Sequence, residues 1–250
     1  MVSAKDILIK PITRIAANGL IRRVHYSGKV VNNSQLHLGA FLEDHLEGAM
    51  QFGPSLDKRK LMGLVRSTSW NGFIELNRLA FSDKLPRNSE SRALSIAMRL
   101  IKKSYPHLKW VVSFADATQC GDGTIYRASG FILTGIKKND QIWIAPDQAH
   151  SRESRMSLTD NSSHVQQEKA KTISRVTATK GKHIQTSGAA SMKDYIKAGF
   201  KPLPGFQLRY IYFLDATWRS RLTVPEIPFS EIDKQGARMY KGQKPDAPEA

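Results

Sequence analysis

The stretch from Gly72 to Gly130 constrains the fold more than any other part of this chain. It contains two apolar runs typical of strands, 73–81 and 110–115. Each run is followed by a polar loop and then by a pattern typical of a helix. The first helical pattern places four apolar residues at the spacing i, i+3, i+4, i+7, which predicts one buried face: Leu94, Ala97, Met98 and Ile101. The stretch therefore predicts two successive strand–loop–helix units.

Weaker patterns on either side extend this core. Before it, we predict a strand over 6–12, a helix over 12–24, a hairpin of strands 35–42 and 46–53, and a short helix over 55–65. In the first helix we expect Ile15, Leu20 and Ile21 to face inward. After the core, we predict a strand over 131–136 continued by 141–144 as a hairpin, a helix over 192–198 and a strand over 207–214. This order predicts an α/β fold, a mixed β-sheet flanked by helices on both faces.

The composition changes after residue 145. Residues 145–190 are rich in Ser, Thr, Lys, Gln and His, with few large apolar side chains. We interpret them as a polar excursion from one domain, 1–223, and not as a second domain. Residues 224–250 predict an ordered arm whose end is disordered.

Charge is the strongest signal in the composition. The chain has 38 basic and 22 acidic residues, a net charge of +16. Such a surplus favours a polyanionic partner, nucleic acid first and a phosphate-bearing cofactor second; the alternative is simple solubility. No apolar run approaches the ~20 residues that span a bilayer, so we expect a cytoplasmic protein. The lone Cys120 excludes an internal disulfide and a cysteine-based zinc cluster.

The first candidate site is the segment Leu85–Arg92, which leads from a strand into a helix N-terminus. A helix N-terminus presents unpaired N–H groups and positive potential, and so favours an anion. Arg87 and Arg92 add cationic donors, whereas Glu90 would repel a phosphate that it faced. The alternative is an ordinary helix capped by Asn88 or Ser89.

The second candidate site is the segment 114–131. Asp116 ends the second strand of the core, a glycine-rich loop follows, and Tyr126 lies in a short predicted helix. Asp116 could orient or deprotonate an amine, and Tyr126 could be a general acid or proton relay. Cys120 could be a nucleophile, although nothing in the sequence indicates a lowered thiol pKa. The alternative is a structural turn with a packed tyrosine.

The third candidate is the pair His25–Tyr26, at a predicted helix end before Gly28. A lone histidine is more often structural than catalytic. Together with Asp116, however, His25 could supply the imidazole and carboxylate of an open iron site. Only the fold could bring the two residues together.

Four phrases then carry a resemblance: HYSG, ELNRLAF, LPRNSESRALS and FADATQCGDGTIYRASGF. They resemble the Mom family of bacteriophage DNA-modification proteins, whose fold is similar to that of the GNAT N-acetyltransferases. The resemblance covers most of the chain and is close over residues 20–135. It implies an enzyme that adds a carbamoylmethyl group to the exocyclic N6 amine of adenine in duplex DNA, so that phage DNA escapes host restriction. It also implies a place in the cytoplasm of a bacterial host.

The resemblance also implies roles for residues. The pyrophosphate of acetyl-CoA, or a related acyl-CoA, would lie at the predicted anion site: Arg87, Asn88, Ser89, Glu90, Ser91 and Arg92. Catalytic roles would fall to His25, Tyr26, Asp116 and Tyr126. Substrate contacts would fall to Arg78, Cys120 and Ser129, with Glu75 and Arg78 as second choices beside the acyl group. An iron ion at His25 and Asp116 is a further expectation.

Partners follow from the same reasoning. We expect duplex DNA on a basic face, no membrane, and a homodimer as one option. Basic residues of the excursion are candidates to grip the DNA backbone: Lys169, Lys171, Arg175, Lys180 and Lys182. Two other functions stay open. A conventional acetyltransferase of a protein or small-molecule amine would act without DNA, and a non-catalytic DNA-binding protein would bind in a salt-sensitive way without forming a product.

Overall fold

The computed structural model describes residues 3–118, 121–140, 142–144, 155–157, 196–197 and 199–239. The chain divides into two compact units. One comprises Met1–Lys137 with Phe206–Ala250, and the other comprises Lys138–Gly205. The predicted single domain of 1–223 stays a prediction. None of the described helices is long and apolar enough to cross a membrane.

The larger unit is built on a seven-stranded sheet. Its strands are β1 (Leu8–Pro11), β2 (Leu36–Leu42), β3 (His45–Gly53), β4 (Phe73–Phe81), β5 (Trp110–Asp116), β6 (Ile132–Lys138) and β10 (Phe206–Phe213). Its α-helices are α1 (Arg14–Val24), α2 (Lys58–Met62), α3 (Ser89–Ser104), α4 (Thr124–Ala128) and α5 (Ser230–Lys234). Two 3-10 helices, Ala4–Asp6 and Ala216–Arg221, complete the unit.

The strand order is β1-β2-β3-β4-β5-β10-β6. Neighbouring strands from β1 to β4 pair antiparallel, β4 and β5 pair parallel, and β5 and β10 pair antiparallel. The predicted mixed sheet is therefore confirmed. The hairpin of β2 and β3 turns at Glu43 and Asp44, which both have positive φ, as the tight turns that match strand twist require.

Helices cover both faces of the sheet, as the sequence predicts. The buried side of α3 packs on one face, where it meets Met50 and Val111. Helices α1 and α2 pack on the other face, where α1 meets Ala49 and α2 meets Val112. Successive strand residues point to opposite faces, and this alternation separates the two apolar cores.

The predicted orientation of α1 is wrong at one residue. Leu20 and Ile21 are buried as expected, together with Ala17, but Ile15 is 85% exposed. Ile15 precedes Leu20 by five positions, which is about 140° around a helix. The two side chains therefore cannot share a face.

The predicted hairpin after β6 is also wrong. Residues Ile142–Ile144 form β7, which pairs with β8 (Arg155–Ser157) and β9 (Lys201–Pro202) in a separate three-stranded sheet of the smaller unit. Strand β6 has β10 as its neighbour instead. Most of the excursion 145–190 and of the predicted helix 192–198 lies outside the described residues, as do Lys169, Lys171, Arg175, Lys180 and Lys182.

Candidate active site

The site begins where β4 and β5 stop pairing. The two parallel strands are matched only from Phe73–Glu75 to Trp110–Val112. Beyond that point, Ser113 connects them by a side chain, since its hydroxyl donates to the Leu76 carbonyl at 3.3 Å. The strands therefore hold together at their amino ends and open towards their carboxyl ends.

Asp116, at the carboxyl end of β5, has a fixed carboxylate. Its Oδ1 accepts hydrogen bonds from the backbone N–H of Thr118, at 3.0 Å, and from the Thr118 hydroxyl. Thr118 is itself buried. A short side chain that bonds the backbone two residues later is a typical turn-forming device. The turn holds the carboxylate at the open end of the strands.

Tyr26 meets Asp116 across 90 residues of sequence. The Tyr26 hydroxyl donates to Oδ2 of Asp116 at 3.1 Å. Tyr26 reaches this place because α1 ends at His25, whose N–H still bonds the Ile21 carbonyl. The His25 ring lies 4.2 Å from the Tyr26 ring, and its Nδ1 accepts the Ser27 N–H at 3.1 Å. The fold thus brings Tyr26 to Asp116 and keeps His25 beside Tyr26, while the catalytic roles of the three residues stay predictions.

Arg78 of β4 lies at the centre of the charged groups. Burial lowers the pKa of its guanidinium, and Tyr26, Glu75, Tyr126 and Asp116 oppose that shift by favouring the charged form. The guanidinium donates to the carbonyls of Lys29, at 3.0 Å, and Asn77, at 2.8 Å. Backbone contacts therefore position one cation within electrostatic reach of both tyrosines and both carboxyl groups.

A bulge in β4 shapes this region. Strand β3 pairs its Gln51 with Arg78 and its Phe52 with Leu76, so that no residue of β3 lies opposite Asn77. Bulges of this kind re-aim nearby side chains. Glu75 precedes the bulge; burial raises the pKa of its carboxyl, while hydrogen bonds from Ser55 and Asn77 and the charge of Arg78 lower it in part.

Tyr126 of α4 closes the other side. Its Oη lies 2.9 Å from the hydroxyl oxygen of Ser113. Because the Leu76 carbonyl can only accept, all three groups are satisfied when Tyr126 donates to Ser113 and Ser113 donates to Leu76. The two hydroxyls form a short hydrogen-bonded chain between the separating strands.

Helix α4 is held by the loop before it. Asp122 accepts hydrogen bonds from the N–H and hydroxyl of Thr124, at 3.2 and 2.8 Å, and lies 3.3 Å from the Arg127 guanidinium. Gly123 has φ +84°, and a Cβ there would lie 2.4 Å from the Tyr210 ring. Only glycine fits both the backbone and the packing, so it fixes where α4, and with it Tyr126, begins.

The predicted anion site is the N-terminus of α3. Asn88 precedes the helix with a left-handed φ of 69° and makes no capping hydrogen bond with its side chain. Ser89, the first helical residue, is 1% exposed, and its buried hydroxyl oxygen has no hydrogen-bond partner among the residues that the structure describes. Arg87 and Arg92 are exposed on either side. A buried hydroxyl without a partner costs free energy, and a ligand oxygen at the helix end would satisfy it.

The other predicted ligand contacts have mixed outcomes. Ser91 and Ser129 join two helices, because the Ser129 hydroxyl lies 3.2 Å from the Ser91 carbonyl and 2.8 Å from that of Ile125. Cys120 lies outside the described residues. Glu90 is half-buried in the first turn of α3. A substrate role for Ser129 stays a prediction, and its present contacts are structural.

The expected iron site gains no further ligand among the described residues. No group of three or more His, Cys, Asp or Glu side chains that could bind a metal is found among them. Both carboxylate oxygens of Asp116 already accept hydrogen bonds, from Thr118 and Tyr26. Iron at His25 and Asp116 stays a prediction, and we derive no step through it.

A groove of about 990 Å³ lies at the amino ends of the same two strands. Phe73 and Leu108 line it together with Lys58 and the half-exposed Trp70. It does not include His25, Tyr26, Asp116 or Tyr126. This groove is therefore separate from the polar cluster.

Two residues of the cluster escape sequence reasoning. Thr118 follows Asp116 by two positions, a spacing that indicates a side-chain turn and that could have been noticed. Ser113 is the lone hydroxyl in the apolar run 110–115. Its hydrogen bond with Tyr126 depends on the separation of β4 and β5, which no local sequence pattern shows.

Comparisons with known proteins place this geometry in context. A protein of Escherichia phage Mu, named methylcarbamoylase Mom, is 42% identical over 133 residues, which are 53% of this chain and 55% of that protein. The chain thus spans about half the length of this curated relative. Among solved structures, an IAA acetyltransferase from Bacillus cereus is 10% identical, with a TM-score of 0.42, over 83% of this chain and 99% of that one.

An N-acyl amino acid synthase from uncultured soil microbes is 11% identical, with a TM-score of 0.45, over 87% of this chain and 95% of that one. At these scores both are distant similarities of fold. The family match is much broader, because the model of the Mom protein family covers residues 6–231. This match includes the whole polar cluster from His25 to Tyr126, and the chain belongs to the Mom protein family.

Proposed function

We propose that this chain is a transferase that adds a carbamoylmethyl group to the N6 amine of adenine in duplex DNA, with an acyl-CoA as donor. The contact between Tyr26 and Asp116, at the open end of β4 and β5, carries the proposal. The name of the phage Mu relative, methylcarbamoylase, supports the group transferred. The biological role would be to protect phage DNA from host restriction enzymes.

The target base must leave the helix to react. Extruding a base from a duplex costs a few kcal/mol, and the enzyme recovers this cost by contacts to the extruded base. Asp116 is suited to accept a hydrogen bond from the N6 amine, because Thr118 and Tyr26 already hold its carboxylate in place. An amine that donates to a carboxylate is oriented and made more electron-rich.

Tyr126 and Ser113 would handle the proton. The amine loses a proton when it forms its new bond, and the leaving group gains one. The Tyr126 hydroxyl would take part in this exchange, and the Ser113 hydroxyl, 2.9 Å away and itself held by the Leu76 carbonyl, would keep it oriented. Arg78, held by the carbonyls of Lys29 and Asn77, would stabilise negative charge that develops near both tyrosines.

The N-terminus of α3 suits the donor's phosphates. The unsatisfied Ser89 hydroxyl, the uncapped helix end, and the cations Arg87 and Arg92 are the observations that support this fit. A bound acyl-CoA supplies an activated two-carbon unit. Attack of the amine on its thioester would give an N-acetyl product. A carbamoylmethyl product needs instead a bond from N6 to the methyl carbon, formed with a two-electron oxidation at that carbon, and an amide nitrogen that displaces the thiol of CoA. An oxidant and an ammonia-equivalent donor must supply these, so we assign the residues of this chain only binding, orientation and proton transfer. Iron stays outside these assignments.

The chemical product that forms on adenine tests the proposed function. Nucleosides from the DNA of cells that express this chain should include an adenine species heavier by a carbamoylmethyl group, and mass spectrometry checks this. Unmodified adenine from folded protein supplied with acyl-CoA would overturn it. Acetyl transfer to a peptide or small amine in the same reaction would favour a conventional acetyltransferase, and DNA binding without any product a non-catalytic protein.

Donor binding has a separate test in Ser89→Ala. This change removes a buried hydroxyl that has no partner, so the free energy of unfolding without ligand should stay the same or rise. The Kd for acetyl-CoA should increase about five- to tenfold, the equivalent of one hydrogen bond. Calorimetric titration measures the Kd. Ser95→Ala is the matched control, because the Ser95 hydroxyl bonds the Ser91 carbonyl within the same helix. If Ser89→Ala and Ser95→Ala had the same Kd for acetyl-CoA, donor binding at the N-terminus of α3 would be contradicted.

A further inference from the structure

The outer face of α1 has an unusual composition for a helix surface. Ile15 is 85% exposed there, the highest exposure among the large apolar residues of the described chain. At 100° per residue, Gly19 and Arg22 lie within about 60° of Ile15 around the helix. The buried residues Leu20 and Ile21 occupy the opposite side. An exposed isoleucine, a glycine and an arginine thus line the centre of the outward face.

Gly19 has no structural reason visible in the fold. Its φ is not positive, and in the described part of the chain a Cβ added there would meet no atom outside the helix within 4 Å. A glycine inside a helix lowers helix stability relative to alanine. Because glycine has no Cβ, it lets another backbone approach the helix more closely than any other residue would.

The charge of this region has one sign. Residues 7–42 contain five basic residues and no acidic residue: Lys10, Arg14, Arg22, Arg23 and Lys29. Arg14 donates to the Asn32 carbonyl at 3.1 Å, which commits it to the fold. Arg22 and Arg23 are exposed in the last turn of α1, three and two positions before His25. These cations therefore lie next to the candidate active site.

Helix chemistry explains only part of this pattern. Basic residues in a last turn suit the negative end of the helix dipole, so Arg22 and Arg23 alone would indicate nothing more. The dipole does not explain an exposed Ile15 or a bare Gly19. The three features share one face, and their common explanation is a partner that is anionic and partly apolar.

We propose that the outer face of α1 binds the sugar–phosphate backbone of the duplex DNA that flanks the target base. The proposal rests on DNA being the substrate, as proposed above. Gly19 lets the DNA backbone approach the helix, Ile15 packs on the apolar face of a deoxyribose, and Arg22 and Arg23 pair with phosphates. The helix then leads directly to Tyr26, so the contact sets the distance between duplex and site.

Gly19→Ala gives the sharpest test, because stability and binding should move in opposite directions. The melting temperature should rise by about 2 °C, since alanine favours the helix and the space is open. The Kd for a short fluorescent DNA duplex should rise about threefold, because the methyl group holds the backbone away. Fluorescence anisotropy measures the Kd. A raised melting temperature with an unchanged Kd overturns the proposal.

The double variant Arg22→Gln with Arg23→Gln tests the phosphate contacts. The slope of log K against log salt should fall in magnitude by about two units, because each phosphate contact contributes about 0.9. Lys102→Gln with Lys103→Gln is the control, since these two exposed basic residues lie in the last turn of α3, on the opposite face of the sheet. An equal fall in slope in the control overturns the assignment to α1.

The same samples separate this proposal from the proposed function. If the wild-type chain neither binds the duplex nor yields the modified adenine, the proposed function fails and takes this inference with it. If the wild-type chain does both and the α1 variants match it, only the α1 surface is overturned. Sedimentation tests whether a second copy of the chain covers this face. A change of oligomeric state in the α1 variants, with unchanged DNA affinity, assigns the face to that second copy and overturns the proposal.

Discussion

The two ends of the β4–β5 pair differ in almost every property. At the amino end the strands are matched residue by residue, and Phe73 stacks on Trp110 with ring centroids 4.3 Å apart and planes at 6°. Both rings are buried. At the carboxyl end the strands have separated, and the space between them is bordered by hydroxyl and carboxyl groups of Ser113, Asp116 and Tyr126.

The difference assigns separate tasks to the two ends. The amino end is apolar and fully paired, so it supplies rigidity. The carboxyl end leaves backbone and side-chain groups to bond one another, which costs stability but presents polar atoms to a ligand. Substitutions at the carboxyl end should therefore change rate more than stability, and substitutions at the amino end the reverse.

The largest effect should come from Asp116→Asn. The amide is a poorer acceptor and cannot hold both the Tyr26 hydroxyl and the amine of the base. We expect the yield of modified adenine to fall by about a thousandfold, or about 4 kcal/mol of barrier. Nucleoside mass spectrometry checks the yield. The control is Asp215→Asn, which removes a carboxylate 3.5 Å from Lys109, at the amino end of β5. Equal losses in both variants would erase the contrast between the ends.

Tyr126→Phe should have the next largest effect. It removes one hydroxyl of the relay, while Ser113 keeps its bond to the Leu76 carbonyl. The rate should fall about a hundredfold, as for loss of a general acid or base, and stability should fall by only about 1 kcal/mol. Tyr210→Phe is the matched control, because its buried hydroxyl donates to the Asp122 carbonyl. Single-turnover rates and urea unfolding measure both quantities; a Tyr210→Phe rate as low as that of Tyr126→Phe would argue against the relay.

Phe73→Leu tests the amino end. Leucine keeps most of the apolar volume but loses the stacking on Trp110, so the free energy of unfolding should fall by about 1–2 kcal/mol. The rate per folded molecule should stay within about twofold of wild type. Denaturant titration gives the first number and the nucleoside assay the second. A large drop in rate without a drop in stability would mean that the groove beside Phe73 takes part in the reaction.

The smallest effect concerns pH. Burial raises the pKa of Glu75 above its ordinary value of 4.5. Unfolded chains then release the proton first as pH rises, so the contribution of Glu75 to wild-type stability should fall from about pH 4.5 up through the raised pKa in the folded state. Glu75→Gln should lack this fall. It should match the wild type in acid and exceed it at neutral pH, as thermal melts at several pH values would show. Parallel curves for the two proteins would contradict the raised pKa.

Much of the fold could be predicted from sequence because its elements have strong periodicity. The stripe Leu94, Ala97, Met98 and Ile101 is buried as predicted. Ile15 is apolar, as a core residue would be, but its position around the helix points it outward. Ala17 lies on the buried face with Leu20 and Ile21 instead. The false hairpin at 141–144 had a different cause. Residues 141–144 follow β6 closely in sequence, which favours a hairpin, but the strand beside β6 in the sheet is β10.

The candidate site was predictable only in part. Residue chemistry and family resemblance indicated Tyr26, Asp116 and Tyr126, but no local pattern shows that Tyr26 and Asp116 touch across 90 residues. The unsatisfied hydroxyl of Ser89 and the Ser113 relay depend on burial and on the separation of strands. Both are consequences of the tertiary structure.

Gly123 limits how the sequence of this protein can vary. It carries no chemical group, yet any side chain at this position would strike the Tyr210 ring and shift the start of the helix that carries Tyr126. In a survey of all single substitutions, position 123 should tolerate as few replacements as a residue that touches the substrate. Lineages of this gene would then retain glycine there for as long as they retain the activity.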